Sequence, residues 1–258
     1  MLTDSELLLL NAQGFFPGPS ESEEDFVKRA AAAKAVCEEE GQIPRAHWDW
    51  ARVRLKELFD FEPRCLPAFY SNKGLAPWQG AASWIEKGRL VSVQLREGLR
   101  KGGYMGYSRG EILAHEAVHA ARSAFDEAAS EEFFAYMTSE KWRRRALGPI
   151  VQRPWEVWGL FIGFAAGILF PLGNLLGTAW VAAGFWRLMR LHRKMRGAGK
   201  NLLAAVGERK ARAILVRLTD LEIDLFAKGE HLFDYAGRQK CLRWRLIRLA
   251  YLDKMEAR

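Results

Sequence analysis

From Glu21 to Asp60 the apolar residues recur every three or four positions. Between Leu66 and Leu95 they fall into short alternating runs, and from Val157 to Trp186 charge disappears altogether. The first stretch predicts two amphipathic helices. One runs from about Glu21 to Glu40, opened by Pro17-Gly18-Pro19-Ser20, capped by Ser20 or Ser22 and ended by Gly41. The other runs from about Arg45 to Asp60, with Trp48, Val53, Leu55 and Leu58 as its apolar positions. The middle stretch predicts strands at Ala68-Phe69-Tyr70, Ala82-Ser83-Trp84-Ile85 and Leu90 to Leu95. Turns at Asn72-Lys73-Gly74 and Glu86-Lys87-Gly88-Arg89 separate them. These strands imply a small antiparallel sheet over residues 66–96 whose edge offers an extended peptide a place to pair.

A glycine-rich loop, Gly102 to Tyr107, leads to Ser108-x-x-Glu111, the signature of a capping box. The helix it opens covers residues 108–123. Ser123-Ala124-Phe125 reads as a turn, and a second helix follows over residues 126–141. Past Leu202 the helical period returns, from Glu208 to Lys228 and from about Gln239 to Leu252. The fold class expected is mostly helical α+β.

The uncharged stretch of 30 residues is broken at Pro171-Leu172-Gly173-Asn174, so each half makes roughly 20 Å of helix against a bilayer core of about 30 Å. Arg143, Arg144, Arg145 and Arg153 precede it, and Arg187, Arg190, Arg193, Lys194 and Arg196 follow. Basic residues on both flanks fit a hairpin with both ends on the cytoplasmic side. Trp155, Trp158, Trp180 and Trp186 supply interfacial aromatics, and the contact with membrane lipid is expected over residues 155–196. A transmembrane hairpin, or one that dips in from one leaflet, follows; the alternative is a hairpin buried in a protein core. Three regions are therefore expected: 1–150, a hairpin over 155–187, and a basic amphipathic region over 188–258.

Net charge sharpens this division. Residues 1–150 carry −2 and residues 151–258 carry +10, which suggests an anionic partner for the second half. Membrane lipid is favoured over nucleic acid because of the uncharged stretch. Cys37, Cys65 and Cys241 form no C-x-x-C pair and fit a reducing compartment. The acidic start of the chain and the short run Leu7 to Leu10 do not make a signal peptide.

The chemistry lies in His115-Glu116-Ala117-Val118-His119. On a helix, residues four apart share a face, so the two imidazoles can bind one Zn²⁺ at about 2.0–2.1 Å. Glu116 beside them is placed as the general base toward a water activated by the ion. A chain of this composition contains such a run by chance roughly once in a hundred. Catalytic zinc takes a third protein ligand, and the nearby candidates are Asp126, Glu127, Glu131 and Glu132. His47, His192 and His231 read as surface or interfacial residues.

Glu131-Glu132-Phe133-Phe134-Ala135-Tyr136 resembles the Asn/Asp-Glu-Gly-Phe-Ala-x-Tyr stretch of the gluzincin metallopeptidases, over roughly residues 104–140. The resemblance implies a zinc peptidase with Glu132 as third ligand. Phe133 replaces the usual glycine, and the gap from His119 is shorter than is usual there. Glu127-x-x-x-Glu131 resembles the Glu-x-x-x-Asp pattern of other gluzincins and makes Glu127 the alternative ligand, with Glu131 supporting a histidine. Tyr136, Tyr107, Tyr104 and Arg122 are candidates for stabilising an oxyanion, and an ion pair from Arg122 to Glu127 or Asp126 is its structural alternative. The functional expectation is a membrane-anchored zinc peptidase acting on a peptide or protein. The alternative is a non-catalytic membrane scaffold with a structural or vestigial zinc site.

Overall fold

Thr3 starts the first helix by a reciprocal cap. Its hydroxyl accepts the Glu6 backbone N–H at 3.3 Å, and the Glu6 carboxylate accepts the Thr3 N–H at 2.9 Å. That helix, α1 (Asp4–Ala12), is the run Leu7 to Leu10 put to use: Leu7 and Leu10 are buried with Phe15, Phe26, Ala30 and Leu246. The computed structural model describes residues 2–36, 42–64, 66–77, 79–86, 89–151 and 154–253, and they form a mostly helical α+β fold. Cys37, Cys65, Arg153, the Gly41 stop and the Lys87-Gly88 turn lie outside the described residues.

The two expected early helices are α2 (Glu23–Val36) and α3 (Asp49–Phe59), the latter entered by a 3₁₀ turn over Arg45–Trp48. In α3, Ala51, Leu55, Leu58 and Phe59 face the core, whereas Val53 is exposed. The strands are β1 (Ala68–Tyr70), β2 (Ala81–Glu86) and β3 (Arg89–Leu95). The sheet is mixed rather than antiparallel. Its order is β1-β3-β2, with β1 parallel to β3 and β2 antiparallel to it. Side chains of β3 and the residue after it tie the 71–80 connection in place. Gln94 donates to the Ser71 and Lys73 carbonyls, and Arg96 donates to those of Ala76 and Gln79. The connection therefore crosses to the far side of β3 and leaves β2 at the sheet edge. The glycine loop is itself a small hairpin of β4 (Gly103–Tyr104) and β5 (Tyr107–Ser108).

Next come α4 (Arg109–Arg122) and α5 (Ala128–Met137), then α6 (Trp142–Leu147) and a 3₁₀ turn over Gly148–Ile150. The uncharged stretch forms α7 (Pro154–Leu169) and the first half of α8 (Pro171–Val206). Among the described residues no helix is long and apolar enough to cross a membrane. α7 has only 16 residues, and α8 turns basic at Arg187.

No boundary falls at residue 188, since α8 runs through it. Beyond the hairpin its inward stripe of Leu191, Met195, Ala198, Leu202 and Val206 enters the same core as Leu55, Val93, Val118 and Phe134. The remaining helices are α9 (Glu208–Leu215), α10 (Asp220–Ala227), α11 (Leu232–Arg238) and α12 (Leu242–Ile247), the last running into a π turn over Arg248–Leu252. One helix was expected where α9 and α10 stand. Arg217 breaks it by turning its guanidinium inward to Asn11 and the Phe59 carbonyl, and Thr219 with Glu222 then starts a new capped helix. The C-terminal region thus folds back on the N-terminal part and shares its core.

Arg122, at the end of α4, joins the two parts. It is fully buried; its Nη1 donates to the Val216 and Leu218 carbonyls at 2.6 and 3.0 Å. Its Nη2 donates to Glu127 and Ser130 at 2.8 and 3.1 Å, and the guanidinium lies over the Phe125 ring. Removing one partner of a buried, hydrogen-bonded pair strands the other charge. Arg122→Met is expected to lower the free energy of unfolding by about 3–5 kcal/mol, read as a shifted urea midpoint.

Candidate metal centre

The motif helix is built by two stripes. Leu113, Ala114, Ala117, Val118 and Ala121 face the core, and His115 and His119 lie one turn apart at the border of that face. Ser108 caps the helix by accepting the Glu111 N–H at 3.1 Å. The other half of the expected capping box is spent elsewhere: the Glu111 carboxylate accepts from Ser139 and, at 2.5 Å, from Arg144. Arg144 also donates to the Gly106 carbonyl and lies over the Tyr107 ring, so it pins the β4–β5 hairpin to the start of α6.

The turn into α5 passes through Asp126 at φ 55, in the left-handed region that aspartate tolerates better than most residues. It reverses the chain so that α5 packs back along α4. Glu132 then faces both histidines. The Nε2 atoms of His115 and His119 are 3.3 Å apart, His119 Nε2 is 3.5 Å from Glu132 Oε1, and His115 Nε2 is 3.7 Å from Glu132 Oε2. Three ligand atoms each about 2.0–2.1 Å from a tetrahedral zinc stand about 3.3–3.4 Å from one another. Taking one ligand atom from each residue, His115, His119 and Glu132 bring three atoms within 4.8 Å of one another, a group that could hold a metal ion.

The other acidic candidates divide by role. Glu131 Oε2 lies 3.6 Å from His119 Nδ1, the ring nitrogen turned away from His115, and its Oε1 accepts the Glu127 N–H. This is the position of a carboxylate that orients a ligating imidazole. Glu127 is occupied by Arg122 and by the Asp220 N–H, accepted at 2.9 Å. Asp126 is exposed in the turn. Arg122 points to the α9–α10 connection, so its structural alternative holds and its place as an oxyanion donor does not.

Glu116 is buried, and Ser83 of β2 donates to its Oε2 at 2.6 Å. Sequence reasoning did not single out Ser83; its one signal is a lone hydroxyl at the middle of the strand expected to run beside the motif helix. The Tyr136 ring packs edge-on against His115, with centroids 4.8 Å apart, and its other side closes on Gly148, where a Cβ would meet the ring at 2.2 Å. Tyr104 turns away and donates to the Pro77 carbonyl, while Tyr107 lies under Arg144. The remaining histidines stand apart from the cluster: His47 meets the Tyr70 hydroxyl, His192 the Ala146 carbonyl and His231 Asp234. A cavity of about 600 Å³ between Lys34, Gln42, Trp48 and Arg64 includes none of the cluster.

Burial and the neighbouring carboxylates shift the groups of the cluster. Burial holds the His115 imidazole well below its usual range, with the His119 charge adding to it. Burial opposes the charged form of His119 too, but Glu131, Glu132 and Glu116 together raise it to about 9. Burial lifts Glu132 to about 7, against the attraction of His119. The Tyr136 hydroxyl is raised by burial and by Glu132, which keeps it protonated.

No family model, no curated protein and no solved structure matches this chain.

Zinc needs His119 neutral, and His119 keeps its proton up to about pH 9. Zinc affinity is therefore expected to rise with pH and level off above about 9, with protons released to the buffer on binding; calorimetry in buffers of different ionisation enthalpy measures this. Glu132→Ala is expected to abolish stoichiometric zinc, and Glu131→Gln to weaken it by about 10–100-fold. Glu127→Gln should leave zinc affinity within a few-fold and lower stability instead, as competition against a chelator and urea denaturation will show.

Proposed function

We propose that the chain is a zinc-dependent peptidase held at a membrane by the α7–α8 hairpin. The observation that carries the reading is the grouping of His115, His119 and Glu132 beside a buried carboxylate, Glu116, held by its own hydrogen bond. A gluzincin-like peptidase has this division of labour: two histidines on one helix, a glutamate from the next, and a free carboxylate between the histidines.

Zinc, when bound, supplies Lewis acidity toward the scissile carbonyl and brings the pKa of its water to about 7. The residues supply the rest. Glu116 takes the proton of the attacking water and delivers it to the leaving amine. Ser83 fixes one oxygen of that carboxylate, so the transfer falls to the other. Glu131 steadies His119 through its Nδ1 side. Tyr136, kept protonated by burial next to His115, is the donor nearest to hand for the developing oxyanion. Because β2 is an edge strand and its Ser83 reaches the motif helix, an extended polypeptide pairing with that edge lies across the general base. The apolar hairpin and the basic residues at its base support lipid as the second partner, with the catalytic part and both hairpin ends on the cytoplasmic face.

Glu116→Gln is expected to bind zinc as tightly as the parent and to lose at least about 100-fold in the rate of peptide hydrolysis. Ser83→Ala should keep zinc and lower kcat more than it raises KM. A Glu116→Gln protein that cleaves peptides at the parent rate would refute the catalytic reading. A zinc-loaded parent with no hydrolysis of extended peptides would favour the scaffold.

A further inference from the structure

The hairpin is built inside out. Along α7, Gly159, Gly163 and Gly167 fall four residues apart and face α8, where a Cβ on Gly163 would come within 3.0 Å of the Gly177 Cα. Glycines of α7 thus line the helix–helix seam, against Trp180, Gly177 and Asn174 of α8, as small residues do where lipid rather than water surrounds a pair of helices. Other large apolar residues are turned to the surface. Ile162, Ile168, Phe170, Leu175 and Leu176 are each about two-thirds or more exposed, and Phe164 nearly half. A water-facing hairpin buries such residues; an apolar patch of this extent marks a binding surface. The one polar side chain near the bend, Asn174, spends its amide on the Gly167 carbonyl.

Charge begins abruptly at the base. Arg187 forms a two-bonded pair with Glu156, at 2.8 and 2.7 Å, and also donates to the Ile150 carbonyl. Just beyond this pair Arg190, Arg193 and Arg196 are exposed on α8, and Arg143 is exposed on α6. Exposed Trp186 and Trp142 stand among them. Exposed aromatic and basic residues beside an apolar hairpin are the composition of a membrane interface, and the arginines match anionic headgroups. Length sets the depth: from the Glu156–Arg187 pair to the bend is about 20–24 Å along either helix, short of a hydrocarbon core of roughly 30 Å.

Resting on the membrane reading above, we infer that the hairpin inserts as a wedge from one face of an anionic bilayer, without emerging on the other, and that the Glu156–Arg187 pair lies at the water line. The metal centre then stands at headgroup level. The Gly148–Ile150 turn at the hairpin base closes on Tyr136, and His192, one turn past the pair, packs its ring 5.3 Å from that of Phe133, next to Glu132. Substrates of the proposed peptidase are accordingly polypeptide segments lying along a membrane surface.

The test uses the full chain with vesicles of zwitterionic lipid and with vesicles containing one-quarter anionic lipid. Binding is expected to the anionic vesicles and to weaken at high salt. Ile168→Asp with Leu175→Asp, both exposed positions, should lower that binding by at least about 100-fold with zinc content unchanged. With Cys37, Cys65 and Cys241 replaced by serine, a fluorophore on Leu175→Cys should be quenched by lipids brominated in the acyl chain. The same thiol should resist an impermeant reagent whether it is added outside or trapped in the vesicle lumen. Reaction from the lumen would overturn one-sided insertion while leaving membrane attachment intact. Binding that ignores lipid charge and salt would overturn the anionic partner. No binding to any vesicle would overturn both readings, and a concentration-dependent dimer in that case would identify a second copy of the chain as what covers the hairpin.

Discussion

Everything at the metal centre depends on the reversal between α4 and α5, and that reversal is held by one buried guanidinium. Arg122 binds carbonyls of the α9–α10 connection, the carboxylate of Glu127 and the hydroxyl of Ser130 at once. It fixes the end of the motif helix, the start of the next helix and a segment almost a hundred residues later. A buried arginine with these acceptors satisfied is rigid, because any displacement leaves charge without partners. The side chain lies outside the chemistry, yet it sets the angle at which Glu132 approaches the histidines.

The site that results concentrates negative charge in a place with little water. Glu116, Glu131 and Glu132 crowd around His119, and burial pushes Glu132 toward neutrality. A proton on His119 relieves part of this in the metal-free state. On the proposed reading a divalent cation would take the place of that proton at His115, His119 and Glu132. A proton and a metal then compete for the same cluster.

Local features were legible in the sequence. The H-E-x-x-H spacing, the Ser108 cap and the second acidic helix depend on neighbours within one or two turns; the structure shows the motif on α4 with Ser108 as its cap, and a second helix shorter than the expected 126–141, at Ala128–Met137. The choice of Glu132 as the proposed third ligand rests on the resemblance and not on local spacing, and the structure groups Glu132 with both histidines. Glu127, Glu131 and Glu132 lie within five residues, and what separates them is the Asp220 N–H and Arg122 claiming Glu127, a contact 93 residues distant in sequence. The mixed sheet escaped for the same reason, since its strand order rests on Gln94 and Arg96 binding carbonyls of a remote connection. Ser83 became a site residue only once that order put β2 against the motif helix. The uncharged stretch leaves open whether the hairpin spans or dips in, and its two helices, α7 and the start of α8, meet at glycines of α7.

X-ray absorption at the zinc edge of the loaded protein tests the central claim most directly. The account predicts one zinc per chain with two imidazole nitrogens and carboxylate oxygen at about 2.0–2.1 Å, and loss of the carboxylate contribution in Glu132→Ala. A spectrum lacking imidazole scattering, or one unchanged by that substitution, would contradict it.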